Sequence, residues 1–127
     1  MSCLLYTSQT ITFTLNAPST AADQSSFNVA ATGGGSGNAV TFTAAGVCSV
    51  TGGGSNTAQY TMNAGSGTCS VIANQAGNSN YLAASQVTES VNAGQLGQTI
   101  TFTTNAPSSA TYNTSFSVCL LYTSRCV

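Results

Sequence analysis

The chain has 127 residues but only three charged side chains, Asp23, Glu89 and Arg125, giving a formal net charge of −1. It lacks Lys, His and Trp, while Thr, Ser, Gly and Asn number 20, 18, 13 and 11. One Arg cannot neutralise a run of phosphates, which excludes nucleic-acid binding, and without His the usual general base and commonest metal ligand are missing. A hydrophobic content of 42% at near-zero charge argues against charge-driven disorder. No apolar run approaches the ~20 residues of a membrane span, so no membrane insertion is expected.

Taken in chain order from Gln9, short runs with a period of two alternate with Gly, Asn, Ser and Pro, which is an all-β pattern. The first predicted strand sets Ile11, Phe13 and Leu15 against Thr10, Thr12 and Thr14, and ends at Asn16-Ala17-Pro18. The second places Phe27, Val29 and Ala31 on one face. Gly33-Gly34-Gly35-Ser36-Gly37-Asn38 reads as a flexible connection into a third strand carrying Val40 and Phe42. A short fourth strand holds Val47, Cys48 and Val50, and Gly52-Gly53-Gly54-Ser55-Asn56 turns into a fifth with Ala58, Tyr60 and Met62 aligned. The sixth carries Cys69, Val71 and Ala73, and the seventh Val87 and Val91. No stretch sustains a helical period with caps. The expected fold is an all-β, immunoglobulin-like β-sandwich of about seven short antiparallel strands.

A domain of this size buries only ~60–65% of its unfolded surface and gains from a covalent tie. Cys48 and Cys69 stand in matching contexts, Gly-Val-Cys-Ser-Val and Gly-Thr-Cys-Ser-Val. A bond between them closes a loop of about 20 residues, worth roughly 3 kcal/mol in the chain-entropy model. Two free buried thiols are the alternative. Their spacing and the lack of His exclude a CxxC metal or redox site.

Two internal repeats are present, and their periods disagree. Gln9–Val29 and Gln98–Val118 match at 14 of 21 positions, with an offset of 89. Cys-Leu-Leu-Tyr-Thr-Ser occurs at Cys3–Ser8 and again at Cys119–Ser124, with an offset of 116. The second motif therefore breaks into the first repeat. It resembles a translated transposon adapter used in preparing DNA libraries, since TGT CTC TTA TAC ACA TCT encodes it. The inverted partner AGA TGT GTA TAA encodes Arg-Cys-Val and a stop, matching Arg125-Cys126-Val127. A real strand used twice is the alternative. The expected organisation is thus residues 1–8 adapter-derived, 9–97 a repeat with its linker, 98–118 the truncated start of a second repeat (its first two strands), and 119–127 adapter-derived. On that basis neither terminus is native, and the missing signal peptide carries no information. A two-stranded piece is marginal in water, so 98–118 is not expected to fold by itself.

The order Gln-Thr-Ile-Thr-Phe, Asn-Ala-Pro, Gly-Val-Cys-Ser-Val and then Gly67 to Ala84 (GTCSVIANQAGNSNYLAA) resembles the bacterial immunoglobulin-like (Big-type) repeats of large surface and secreted proteins. The likeness covers about Gln9–Ala93 and restarts at Gln98. It implies that Cys48 and Cys69 are the intradomain disulfide pair, that Asn78, Asn80 and Tyr81 form a structural loop before the last strand, and that Val91 is apolar for core packing. Linkers of such repeats often contain Lys, which Gly94-Gln95-Leu96-Gly97 does not.

Chemistry-bearing constellations are few. Asp23 and Glu89 are the only carboxylates; an acid–base pair would require them to meet, and otherwise Asp23 is a turn residue and Glu89 a charge that discourages edge pairing. Two carboxylates cannot build a calcium cage, and without Lys an isopeptide cross-link is impossible. Neither triglycine run fits a phosphate-binding loop. Tyr60, Tyr81 and Tyr112 are candidates for a sugar-stacking platform, though Tyr60 and Tyr81 also fit packing roles. Asn113-Thr114-Ser115 fits a glycosylation sequon, which has meaning only in a eukaryotic secretory context. No cofactor, metal or enzymatic activity is expected. The expected role is a structural spacer in a bacterial surface or secreted adhesin-like protein, extracellular, with neighbouring repeats as partners; a glycan-binding or adhesive module is the alternative.

Overall fold

The computed structural model describes residues 5–122 and 125–126. The chain divides into two units, residues 1–96 and 97–127, and among the described residues every regular element is a strand. The first unit contains β1 (Thr12–Leu15), β2 (Thr20–Ala22), β3 (Ser26–Thr32), β4 (Val40–Gly46), β5 (Cys48–Thr51), β6 (Thr57–Met62), β7 (Thr68–Gln75) and β8 (Val87–Gly94). These form two four-stranded sheets, ordered β1-β3-β6-β5 and β2-β8-β7-β4. The alternation of Thr or Ser with apolar residues turns one face of each sheet inward, and the two inner faces share one core, making a β-sandwich.

That core contains nearly all the apolar positions expected. Val29, Val40, Phe42, Ala58, Tyr60, Met62, Cys69, Val71, Ala73 and Val91 are buried, with Phe13, Phe27, Val47, Val50 and Val87 packed against them. Tyr60 lies on β6 of the first sheet, and its hydroxyl donates to the Thr43 carbonyl on β4 of the second, at 2.7 Å. Its ring stacks on Phe27 at a centroid separation of 5.5 Å. Phe13 meets Phe42 edge-on across the sheets at 5.9 Å, a geometry that the aromatic quadrupole favours.

Two expectations need correction. The sandwich has eight strands where about seven antiparallel ones are expected: beyond the Asn16-Ala17-Pro18 end of the first strand the chain forms a further short strand, β2. This strand lies in the opposite sheet and pairs parallel to β8, so the strands are not all antiparallel. The Ala17 N–H, freed at that end, donates to Glu89 Oε2 at 2.7 Å. Leu15 is also not a core residue. The register shifts between Phe13, opposite Ala31, and Leu15, opposite Ala30. This bulge reverses the side-chain alternation, so Leu15 joins Ala30 on the outer face and is 50% exposed.

The crossing from β4 to β5 carries the chain from one sheet to the other. Gly46 has φ +82°, and a Cβ there would lie 2.0 Å from the Thr68 carbonyl oxygen, so only glycine fits. Two residues on, Cys48 is bonded to Cys69 of β7, with a Cα–Cα distance of 5.3 Å. The disulfide links the sheets and suits a non-reducing environment. The outer edge of β4 is also covered: the Phe42 N–H donates to the Gly53 carbonyl, and Val40 exchanges hydrogen bonds with the backbone and side chain of Asn56. Backbone groups at a sheet edge invite foreign strands unless covered in this way.

The second unit holds β9 (Thr101–Thr104), β10 (Cys119–Tyr122) and β11 (Arg125–Cys126), in the order β11-β10-β9. Residues 105–118 contain no strand. The partner of β9 is therefore supplied from Cys119 onward, in the segment that the sequence sets apart from the repeat. In the first unit the other copy of that motif also contributes a pairing, through a parallel bridge between Thr7 and Tyr81.

Replacing Cys48 and Cys69 together by Ala should lower the unfolding free energy by about 3 kcal/mol, read as a lower urea midpoint with unchanged far-ultraviolet circular dichroism. Burial pushes the Tyr60 phenol above its usual value of 10.0, opposed by a smaller effect of the Ile72 backbone. A raised folded-state value means that this contribution is complete below pH 10 and is lost as pH rises through the folded-state value. Tyr60→Phe should flatten that alkaline loss in pH-dependent thermal melts, at a cost of about 1 kcal/mol for the missing hydrogen bond.

Candidate functional site

The densest polar cluster closes one end of the sandwich, where the β3–β4 connection meets the β7–β8 connection. Gln75, at the end of β7, follows Cys69, Val71 and Ala73 on the inward face and is 3% exposed. Its Oε1 accepts from the Gly34 N–H at 2.8 Å, and its Nε2 donates to the Asn38 carbonyl at 2.7 Å. Gln9, 7% exposed, precedes Ile11 on the same parity. Its Nε2 donates to the Ala76 carbonyl and its Oε1 accepts from the Ser36 N–H. Asn38 Nδ2 donates to the carbonyls of Ala76 and Gly77, while Asn78 Nδ2 donates to that of Ser36. Asn78 Oδ1 in turn accepts from the N–H groups of Asn80 and Tyr81, closing its own loop.

The connection read as flexible is therefore packed. Side chains at Gly33, Gly34 and Gly35 would collide with Gln75, Gln9 and the Tyr81 ring respectively, each within 2.4 Å. The glycines are there for close approach, which lets two buried amides reach the backbone. Part of the signal lay in the sequence, since Gln9 and Gln75 stand in otherwise apolar inward registers, but neither is near the triglycine run along the chain. Among the described residues, every buried side-chain nitrogen or oxygen has a hydrogen-bond partner. Chemically, the cluster consists of amides and a hydroxyl bonded to the backbone N–H and carbonyl groups of the two loops, and its effect is to hold both loops in place.

A second feature is a groove of about 390 Å³ on the outer face of the first sheet, lined by Leu15, Asn28, Ala30, Thr51, Thr57 and Gln59 among others. The bulge that expels Leu15 from the core supplies its apolar wall. Its lining includes no aromatic residue.

The sequence-derived candidates are dispersed. Asp23 follows β2, and its N–H donates to the Gly94 carbonyl at 2.8 Å. Glu89 lies five residues back along β8, about 17 Å away at the usual strand rise, too far for a paired acid and base. Among the described residues no three His, Cys, Asp or Glu side chains come together to hold a metal. Tyr60 is wholly buried and Tyr81 lies against Gly35, whereas Tyr112 belongs to the second unit and is 89% exposed. Cys48 and Cys69 are joined as a disulfide, and Cys119 is disulfide-bonded as well. No protein-family model, curated protein or solved structure matches the chain.

Gln75→Ala would strand the Gly34 N–H and the Asn38 carbonyl in a largely enclosed site. It should cost about 2–3 kcal/mol and speed amide exchange at Gly34, whereas Gln86→Ala on the exposed end of the same loop should change stability by less than about 0.5 kcal/mol.

Proposed function

We propose that the chain is part of an extended, non-enzymatic stalk: one immunoglobulin-like spacer repeat followed by the start of the next, from a bacterial surface or secreted adhesin-like protein. The observation that carries this reading is the recurrence of Gln9–Val29 at Gln98–Val118, 89 residues on, joined to a disulfide-closed sandwich. Tandem modules of this kind need stability without ligands, and the polar hub and covered edge supply it locally. The strand orders β1-β3-β6-β5 and β2-β8-β7-β4 support the immunoglobulin-like assignment, because they match the two-sheet grouping of that fold with its first strand split between the sheets. The Thr- and Ser-rich outer faces and the disulfide favour an extracellular position, and the partners in this reading are neighbouring repeats of the same chain.

The groove beside Leu15 favours one competing reading, an adhesive or glycan-binding module, since Asn28, Thr51, Thr57 and Gln59 offer hydrogen-bonding groups beside an apolar wall. Screening the full oxidised chain on an array of immobilised glycans separates the two. A spacer should give no signal above a control protein. A signal that Leu15→Arg or Asn28→Ala abolishes would replace the spacer reading with the binding module.

A further inference from the structure

The chain enters the first sandwich through a two-point attachment. The Thr7 N–H donates to the Asn80 carbonyl at 2.9 Å, and the Thr7 carbonyl accepts from the Leu82 N–H at 3.0 Å, which makes the parallel bridge to Tyr81. Two residues on, the Gln9 side chain donates to the Ala76 carbonyl at 3.0 Å. Residues 76–82 therefore hold the entering chain at both points. That loop is itself set before anything docks on it. The Asn78 N–H donates to the Tyr81 carbonyl, and Asn78 Oδ1 accepts from the N–H groups of Asn80 and Tyr81.

Both bonds at position 7 are made by the main chain, so the site takes any residue that keeps its N–H. The frame of the internal repeat says which residue that is in a tandem array. Gln98 stands where Gln9 stands, so Leu96 and Gly97 of one repeat take the places of Thr7 and Ser8 ahead of the next. Leu96 lies past the last strand of its own sandwich and is 56% exposed. Gly94, which ends β8, is still held, since its carbonyl accepts from the Asp23 N–H at 2.8 Å.

We propose that residues 76–82 are the docking site for the end of a preceding repeat, with the main chain of that repeat's Leu96 seated between Asn80 and Leu82. Only Gln95 then separates Gly94, held by one sandwich, from Leu96, held by the next. A linker with one unheld residue has almost no reach of its own, so the joint is short and stiff. The proposal rests on the spacer reading and supplies the contact by which one repeat fixes the next.

The test duplicates residues 9–97 in place within the full oxidised chain, so that the added copy follows Gly97 as Gln98 does in the parent. Isotope label is confined to the added copy, and its amide exchange is followed by nuclear magnetic resonance. Its Leu82 N–H should exchange within about threefold of Leu82 in the parent chain, where Thr7 is the partner. Leu96→Pro at the joint removes the N–H that the Asn80 carbonyl receives and should speed exchange at Leu82 about tenfold. Leu96→Ala should leave it unchanged, because the contact is main-chain. Val71, wholly buried in β7, reports whether the added copy has folded. A folded copy whose Leu82 exchanges freely, or ignores Leu96→Pro, would overturn the docking site and leave the spacer reading standing. An added copy in which Val71 is unprotected as well would overturn both.

Discussion

The passage of the chain between sheets at Gly46 and Val47 sets the geometry on which the rest of the first unit depends. A short hop at a sheet edge requires the backbone to turn through a left-handed conformation, and the Thr68 carbonyl leaves no room there for a Cβ. The hop brings Cys48 within bonding distance of Cys69, so the tightest turn and the one covalent tie between the sheets support each other. Asp23 and Glu89, the first unit's only charged side chains, carry the same sign, so no ion pair between side chains contributes. Cohesion falls to apolar burial, backbone ladders and the disulfide. A small sandwich built this way should be indifferent to salt and to pH across the neutral range.

Polar atoms in such a core must be satisfied internally, and they are gathered at one end. Gln9 and Gln75 continue inward-facing registers past the last apolar residues, where the sheets open and two loops close over them. Bare glycine backbone lets the amides reach those loops. The arrangement exchanges side-chain bulk for hydrogen bonds, and it explains why a run of three glycines is an ordered element in this protein.

The sequence was informative wherever one physical rule dominated. Alternation identified the inward faces, because a buried face tolerates few polar residues; Ile11, Val29, Tyr60, Val71 and Val91 all lie where the pattern puts them. It failed at Leu15, whose apolar character fits an inward position equally well, because a bulge is a property of pairing with β3 and not of the strand itself. The break at Pro18 was visible, yet the transfer of β2 to the other sheet depends on Glu89 and β8, some 70 residues later. The triglycine run was misread because composition reports freedom in the unfolded chain, whereas close packing depends on neighbours distant in sequence. Tyr60 and Tyr81 followed their packing alternatives. The pairing of β9 with Cys119–Tyr122 lay beyond sequence comparison for a different reason: a backbone ladder is indifferent to most side chains, so an unrelated segment can complete it.

The parallel pairing of β2 with β8 has a mechanical consequence. These strands lie near opposite ends of the first unit's sequence but run side by side in the same direction, with Thr20 opposite Asn92 and Ala22 opposite Gly94. Tension applied to the chain before β2 and after β8 drags the two strands past each other along their length. Their hydrogen bonds are then loaded together in shear instead of opening one after another like a zip. Should the sheets part under greater force, the Cys48–Cys69 bond would still shield the 21-residue separation between its ends, about 70 Å of contour that pulling cannot release.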